Sequence, residues 1–263
     1  MKHVFTQVIN LDSSVDRLAT ARSQLAAQGL PFSRTPAFDG RGKSASELPR
    51  YSPLRARLWF GRTLTGGEVG CFLSHRTCAE RFLDSNAFAG LVLEDDLQLG
   101  DSFAEDLAAT VDGLRNGAAP GWRLVNMGHA LKANQPRRQV LTLPHGQSLF
   151  LGADFPLTTL ALLWSREGAE RFLNKARLVT GTVDNWLRSD MAVHGGGLFA
   201  DPPLVHPVGT SVINTEIGAA DIQKVGVGPR KGWYGYRSRQ RSRWRRGLGE
   251  RRLAKIARAA KDN

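Results

Sequence analysis

Short apolar, β-branched runs alternate along this chain with segments whose apolar residues recur every three to four positions. That alternation restricts the fold more than any other feature. Val4 to Leu11 reads as a buried strand ending at Asp12-Ser13, where a helix cap is expected. Val15 to Ala27 reads as a helix stopped by Gly29 and Pro31, and Phe32 to Phe38 as a short strand turning at Asp39-Gly40. Arg41 to Thr63 is polar and contains prolines, the pattern of a long loop. Thr65 with Glu68 three residues on has the signature of a capping box, and opens a helix with the stripe Val69, Phe72, Leu73, Thr77. Leu91 to Leu93, Arg123 to Met127 and Thr158 to Leu163 read as strands, and Asp101 to Leu114, Ser165 to Lys175 and Asp184 to Val193 as helices. Gly196 to Val205 is a final extended segment. The order predicts an α/β sandwich with a mostly parallel central sheet flanked by helices.

Charge divides the chain unevenly. The 263 residues carry 36 Lys+Arg against 24 Asp+Glu, a net of +12. From Arg230 onward there are 13 basic and 2 acidic residues, which leaves 23 and 22 in residues 1–229. A nearly neutral body of residues 1–229 therefore precedes a basic tail of residues 230–263, and the high pI is not a property of the body. The longest near-apolar run, Phe155 to Trp164, is shorter than the ~20 residues that span a bilayer. The start, Met1 to Gln7, enters a strand-like pattern without the apolar core of a signal peptide, so a cytoplasmic location is expected. Cys71 and Cys78 fall on one helical segment, roughly 10 Å apart at ~1.5 Å per residue, too far for a disulfide. Both read as small core-facing residues in a reducing compartment.

The sharpest local signal is Leu91-Val92-Leu93-Glu94-Asp95-Asp96, three carboxylates at the end of a buried strand. Ligands of parallel sheets gather at such ends. Residues i and i+2 share a side of an extended chain, so Glu94 and Asp96 converge while Asp95 faces away. Adjacent carboxylates repel unless a cation or donors compensate, and a divalent ion with oxygen ligands answers that need. Acids that merely cap the following turn are the alternative. Asn10, Asp12, Asp16 and Arg17 follow the first strand, with a capping role open for Asp12. Glu68 and His75 lie seven apart on one side of their helix, Asp184 begins another helix, and His206 ends the last extended segment.

Taken together, these pieces resemble glycosyltransferase family 25, the lipopolysaccharide or lipooligosaccharide β-galactosyltransferases. The matching segments are Val8-Ile9-Asn10-Leu11-Asp12 with Asp16-Arg17, Ala37-Phe38-Asp39-Gly40, Leu64 to His75, Leu91 to Asp96, Val183-Asp184 and Pro203 to Pro207. The resemblance implies a GT-A-like nucleotide-diphospho-sugar-binding fold and inverting transfer of a hexose, most simply galactose, from a UDP-sugar. It implies Mn²⁺ or Mg²⁺ at a DxD-like motif, with Glu94 and Asp96 in the outer positions; His206, read from its place between Val205 and Pro207, is either a third metal ligand or a turn residue, the turn being favoured. Asp184 is the implied base, with Glu68 its rival. Asn10, Asp12, Arg17, Asp39, His75 and Asp95 are the implied substrate contacts. The acceptor implied is a glycolipid or oligosaccharide.

In the tail, Trp233, Tyr234 and Tyr236 precede Arg237, Arg239, Arg241, Arg243, Trp244, Arg245 and Arg246. After Gly247 and Gly249 comes a segment with Leu253, Ile256, Ala257 and Ala260 on one side. Aromatics beside clustered arginines suit an anionic membrane surface, which places the protein peripherally on the inner face of the cytoplasmic membrane. The competing expectation is a non-catalytic protein whose tail binds nucleic acid.

Overall fold

The computed structural model describes residues 3–208 and 233–259. The boundary expected between residues 229 and 230 lies outside the described residues. In chain order the elements are β1 (Val4–Asn10), α1 (Val15–Ala27), β2 (Ser33–Pro36), a 3₁₀ turn (Ala45–Glu47), α2 (Pro53–Trp59), α3 (Gly66–Asp84), β3 (Ala89–Glu94) and β4 (Leu97–Leu99). They continue with α4 (Phe103–Arg115), β5 (Leu124–Asn126), β6 (Arg137–Thr142), β7 (Ser148–Gly152), β8 (Ala161–Ser165), α5 (Arg166–Lys175), α6 (Val183–His194), β9 (Gly197–Asp201), β10 (Val205–Pro207) and α7 (Trp233–Ala259).

Eight strands form one sheet in the order β2-β1-β3-β8-β5-β9-β7-β6. β1 is parallel to β2 and β3, and β5 to β9, while β8 runs antiparallel between β3 and β5. β7 and β6 add an antiparallel hairpin at one edge. Six strands therefore point one way and β7 and β8 oppose them, so the sheet is mixed in its pairing and mostly parallel in its direction.

Alternation within the central strands puts apolar side chains on both faces. Val8, Leu91, Leu93 and Leu163 pack with Ala21 and Leu25 of α1 and Phe103 and Leu107 of α4. Ile9, Val92, Leu162 and Trp164 pack on the other side with Phe72 and Phe82 of α3, Phe172 of α5 and Leu187 of α6. Each fully buried Leu or Phe contributes roughly 1.5–3 kcal/mol, so this double-sided burial fixes the register of β1 and β3.

Several expectations need correcting. The Arg41–Thr63 loop contains α2: Ser52 caps it by accepting from the Arg55 amide, and Pro53 sits in its first turn, where a missing N–H costs nothing. The cap of α1 is Ser14, without a side-chain bond, and not Asp12-Ser13. The final extended segment is two strands, β9 and β10, separated at Pro202-Pro203, and the expected 158–163 strand starts at Ala161. The capping box at Thr65 and Glu68 is present as read, with the Glu68 amide 3.2 Å from Thr65 Oγ1 and the Thr65 amide 2.9 Å from Glu68 Oε2. In the tail, α7 runs unbroken through Gly247 and Gly249. No helix among the described residues is long and apolar enough to cross a membrane.

Candidate active site

Parallel pairing of β1 with β2 and β3 brings three carboxyl ends together, with Ile9 beside Glu94 and Asn10 beside Pro36. A pocket of about 840 Å³ opens there, lined by Asn10, Arg17, Asp39, His75, Glu94, Asp95 and Asp96 among others. A second, about 1300 Å³, is lined by Glu68, His129, Thr159, Thr182 and Asp184, and shares Cys71, Glu94 and Asp96 with the first.

The glycines of the Leu64–His75 segment explain how the first pocket is closed on one side. A Cβ on Gly70 would stand 2.3 Å from the Phe38 carbonyl oxygen, and one on Gly66 would stand 1.8 Å from that of Gly40. The Phe38–Gly40 loop therefore lies directly on the start of α3. Ser74 Oγ pins it, accepting from the Phe38 amide at 2.8 Å and donating to the Gly70 carbonyl at 2.8 Å.

Asn10 is buried and fully engaged. Its Nδ2 donates to the Ser14 carbonyl (2.8 Å) and to Asp95 Oδ2 (2.7 Å), and its Oδ1 accepts from Arg34 Nε (3.0 Å). Arg17 Nη1 lies 3.5 Å from Asp95 Oδ1. Asp95 thus turns away from Glu94 and toward the β1 loop, as the alternation of an extended chain requires. Asp39 accepts from Arg41 Nη2 at 2.8 Å; that guanidinium outweighs the cost of burial and lowers the Asp39 carboxyl to about 2. Asp12 lines neither pocket: its side chain is 85% exposed and pairs with Arg34.

His75, at 1% exposure, does not orient Glu68. Its Nε2 lies 3.2 Å from Glu94 Oε1, which also accepts from Thr159 Oγ1 at 2.6 Å. Burial pushes the Glu94 carboxyl up, but the bond and charge of His75 with the Thr159 bond prevail and hold it below its ordinary value. Asp96 goes the other way, raised to about 6 by burial first and then by Glu94 and Asp95, and its buried Oδ1 has no partner. Glu68 is taken up elsewhere: Arg62 donates to both its oxygens, at 2.8 and 2.5 Å, and one also closes the capping box.

Asp184 sits in the first turn of α6, past the Thr182 cap, where its Oδ1 accepts from the Asn185 amide at 2.7 Å. Cys78 is buried in the core and Cys71 packs partly buried against it, as expected, but Cys71 also reaches the site. It faces both pockets, and burial first, then the Glu94 and Asp184 charges, raise its thiol well above the ordinary value. Its Sγ, with one ligand atom each from His75 and Glu94, forms a group mutually within 4.8 Å. His206 is exposed, pairs with Gln98 across β10 and β4, and lines neither pocket, although Pro207 reaches the second. Sequence reasoning missed Arg34, Arg62, Ser74 and Thr159, which hold the candidate residues in place. Only Arg62, six before Glu68, left a local trace.

Comparison with known proteins identifies a family. The model of glycosyltransferase family 25 (LPS biosynthesis protein) matches residues 1–186. A glycosyltransferase 25 family member of Aedes aegypti is 29% identical over 182 residues, covering 68% of this chain and 29% of that protein. Procollagen galactosyltransferase 2 of Homo sapiens is 29% identical over 171 residues, covering 63% and 26%. A solved glycosyltransferase involved in the glycosylation of the major capsid of PBCV-1 aligns with a TM-score of 0.41 at 9% identity, over 83% of this chain and 98% of that one. The chain spans less than a third of the length of these curated relatives. With the family model covering more than half of its residues, the chain belongs to glycosyltransferase family 25.

Proposed function

We propose that the chain transfers a hexose, galactose foremost, from a UDP-sugar to a hydroxyl of a glycan acceptor, with inversion at the anomeric carbon. One observation carries this reading: Cys71, Glu94 and Asp96 form a wall common to two pockets. A donor in the first and an acceptor in the second would meet at those carboxylates. The first pocket, bounded by Asn10, Arg17, Asp39 and Asp95, takes the nucleoside end.

The residues fit a divalent cation. Asp96 presents a buried oxygen without a partner, and burial, then the charges of Glu94 and Asp95, make its ionisation unfavourable until a cation joins them. Glu94 and Asp96 would hold Mn²⁺ or Mg²⁺; His206, exposed and outside both pockets, is left out of this set. When bound, the ion supplies Lewis-acid stabilisation of the departing diphosphate. Asp184 takes the proton from the acceptor hydroxyl as that oxygen bonds to the anomeric carbon and the bond to the diphosphate breaks. Glu68, with both oxygens held by Arg62, is unsuited to that task and instead fixes the start of α3. His75 positions Glu94.

The acceptor in this reading is a lipopolysaccharide-type glycolipid at the cytoplasmic membrane face, with the basic tail contributing to attachment. Exposed Arg243, Arg246, Arg251, Lys255 and Arg258 of α7 support that role. The side chains of Trp233, Tyr234, Arg237 and Arg239 lie outside the described residues. Turnover of UDP-Gal, UDP-Glc and UDP-GlcNAc, with Mn²⁺ and with a chelator, tests the proposal. Chelator-sensitive turnover of UDP-Gal above the others is expected, and no turnover of any donor would overturn it.

A further inference from the structure

The near-neutral sum over residues 1–229 conceals a second basic region. Between Arg41 and Arg62 the chain carries Arg41, Lys43, Arg50, Arg55, Arg57 and Arg62 against Glu47 alone. At its centre lies α2, which packs inward through Ala56 and turns the opposite side to solvent. At 100° per residue the outward arc runs Arg57, Leu54, Leu58, Arg55, Trp59. Leu54, Leu58 and Trp59 are 69%, 52% and 66% exposed, and both arginines are exposed. Two leucines at i and i+4, flanked by arginines and ended by a tryptophan, form a short cationic amphipathic surface.

This surface adjoins the second pocket. Ser52 N and the Arg50 carbonyl bond Val179, three residues before the Thr182 cap of α6, and the Phe60 ring lies against Gly181. Arg62, stacked 4.8 Å from the Phe60 ring, holds Glu68 in the wall of that pocket. α2 is therefore joined through Val179 and Phe60 to the segment that leads into Asp184.

We propose that α2 is an anionic-membrane contact that seats the acceptor pocket against the lipid surface. Charge complementarity selects this occupant: leucine and tryptophan side chains enter the headgroup boundary while the arginines meet acidic headgroups. The inference deepens the glycolipid-acceptor reading and rests on it for its purpose, but its test does not depend on turnover.

Cosedimentation of the full chain with phosphatidylcholine vesicles, with and without phosphatidylglycerol, provides that test. Binding only to the phosphatidylglycerol vesicles is expected. Arg55→Ala with Arg57→Ala should weaken it by about fivefold per arginine. Leu54→Ser with Leu58→Ser should weaken it about tenfold at unchanged charge. Turnover with a water-soluble acceptor should stay at the wild-type level in both variants. Failure of the wild type to bind, or binding unchanged in both variants, overturns the membrane contact. So does an equal loss of RNA binding, which would assign α2 to nucleic acid. Wild-type vesicle binding without donor turnover would leave the contact standing and sink the enzymatic reading instead.

Discussion

In the first pocket most of the polar groups are bound to one another before any ligand arrives, with buried His75 Nδ1 and Asp96 Oδ1 the exceptions. Asn10 ties β1 to Asp95 and Arg34, Arg41 closes on Asp39, and Ser74 clasps the Phe38 loop to α3. In the second pocket Asp184 is held by its chain neighbour Asn185, and on the common wall Asp96 keeps a buried oxygen without a partner. In the proposed reading a nucleotide would meet a site largely in shape, where little side-chain ordering remains to oppose binding. The carboxylates proposed to act, Asp96 and Asp184, lie where the network thins. Rigidity on one side and unspent hydrogen-bonding capacity on the other is the arrangement expected of a site that holds one substrate and transforms the other.

Substitutions on the common wall strain this contrast most. Asp96→Asn should lower metal-dependent turnover by about 10³-fold or more, since the developing charge on the diphosphate loses its cation. Its melting temperature should hold or rise, because a buried carboxylate repelled by Glu94 and Asp95 is removed. Full retained activity would end the metal role. Next comes Asp184→Asn, expected to reduce kcat by about 10²–10⁴-fold with donor KM little changed. A loss confined to donor KM would move Asp184 into the nucleotide pocket and erase the distinction between the two.

On the rigid side, Gly70→Ala must push the Phe38 carbonyl aside from 2.3 Å. A stability loss of about 1–3 kcal/mol in denaturant titration is expected, with donor KM raised more than kcat is lowered. The smallest effect concerns Asp39. Its folded value of about 2 lies below the ordinary 3.8, so its contribution to stability is present above 3.8 and fades as pH falls through about 2. Carboxyl NMR titration should find that midpoint, and Arg41→Ala should return it toward 3.8.

The alternation of strands and helices was legible because β1 and β3 are buried on both faces and α3 announces itself with a capping box. Strand direction was not: periodicity has no sign, so the reversal of β8 between β3 and β5 left no mark on Ala161–Ser165. The β6–β7 hairpin was missed because Arg137–Thr142 lies at the sheet edge, mixed and half exposed. For the site, Glu94 and Asp96 could be read from their place after a buried strand. The partnership of His75 with Glu94 could not, since α3 and β3 meet only through tertiary packing. The seven-residue spacing shows only that His75 and Glu68 share a side of their helix. Asp12 was placed in the pocket by its position after β1, but Arg34 of the neighbouring strand draws it outward.

α7 carries charge and also completes α6. Arg252 donates to the carbonyls of Met191, Ala192 and Val193, capping the far end of the helix whose first turn bears Asp184. Gly249 lies directly on Ala153, where a Cβ would stand 1.8 Å from its carbonyl oxygen. Cutting the chain before Trp233 would remove basic charge and a helix cap together, so lost activity in a truncated protein would not reveal which had mattered. Charge reversal at exposed Arg243 and Arg246 separates the two, leaving α6 its terminus.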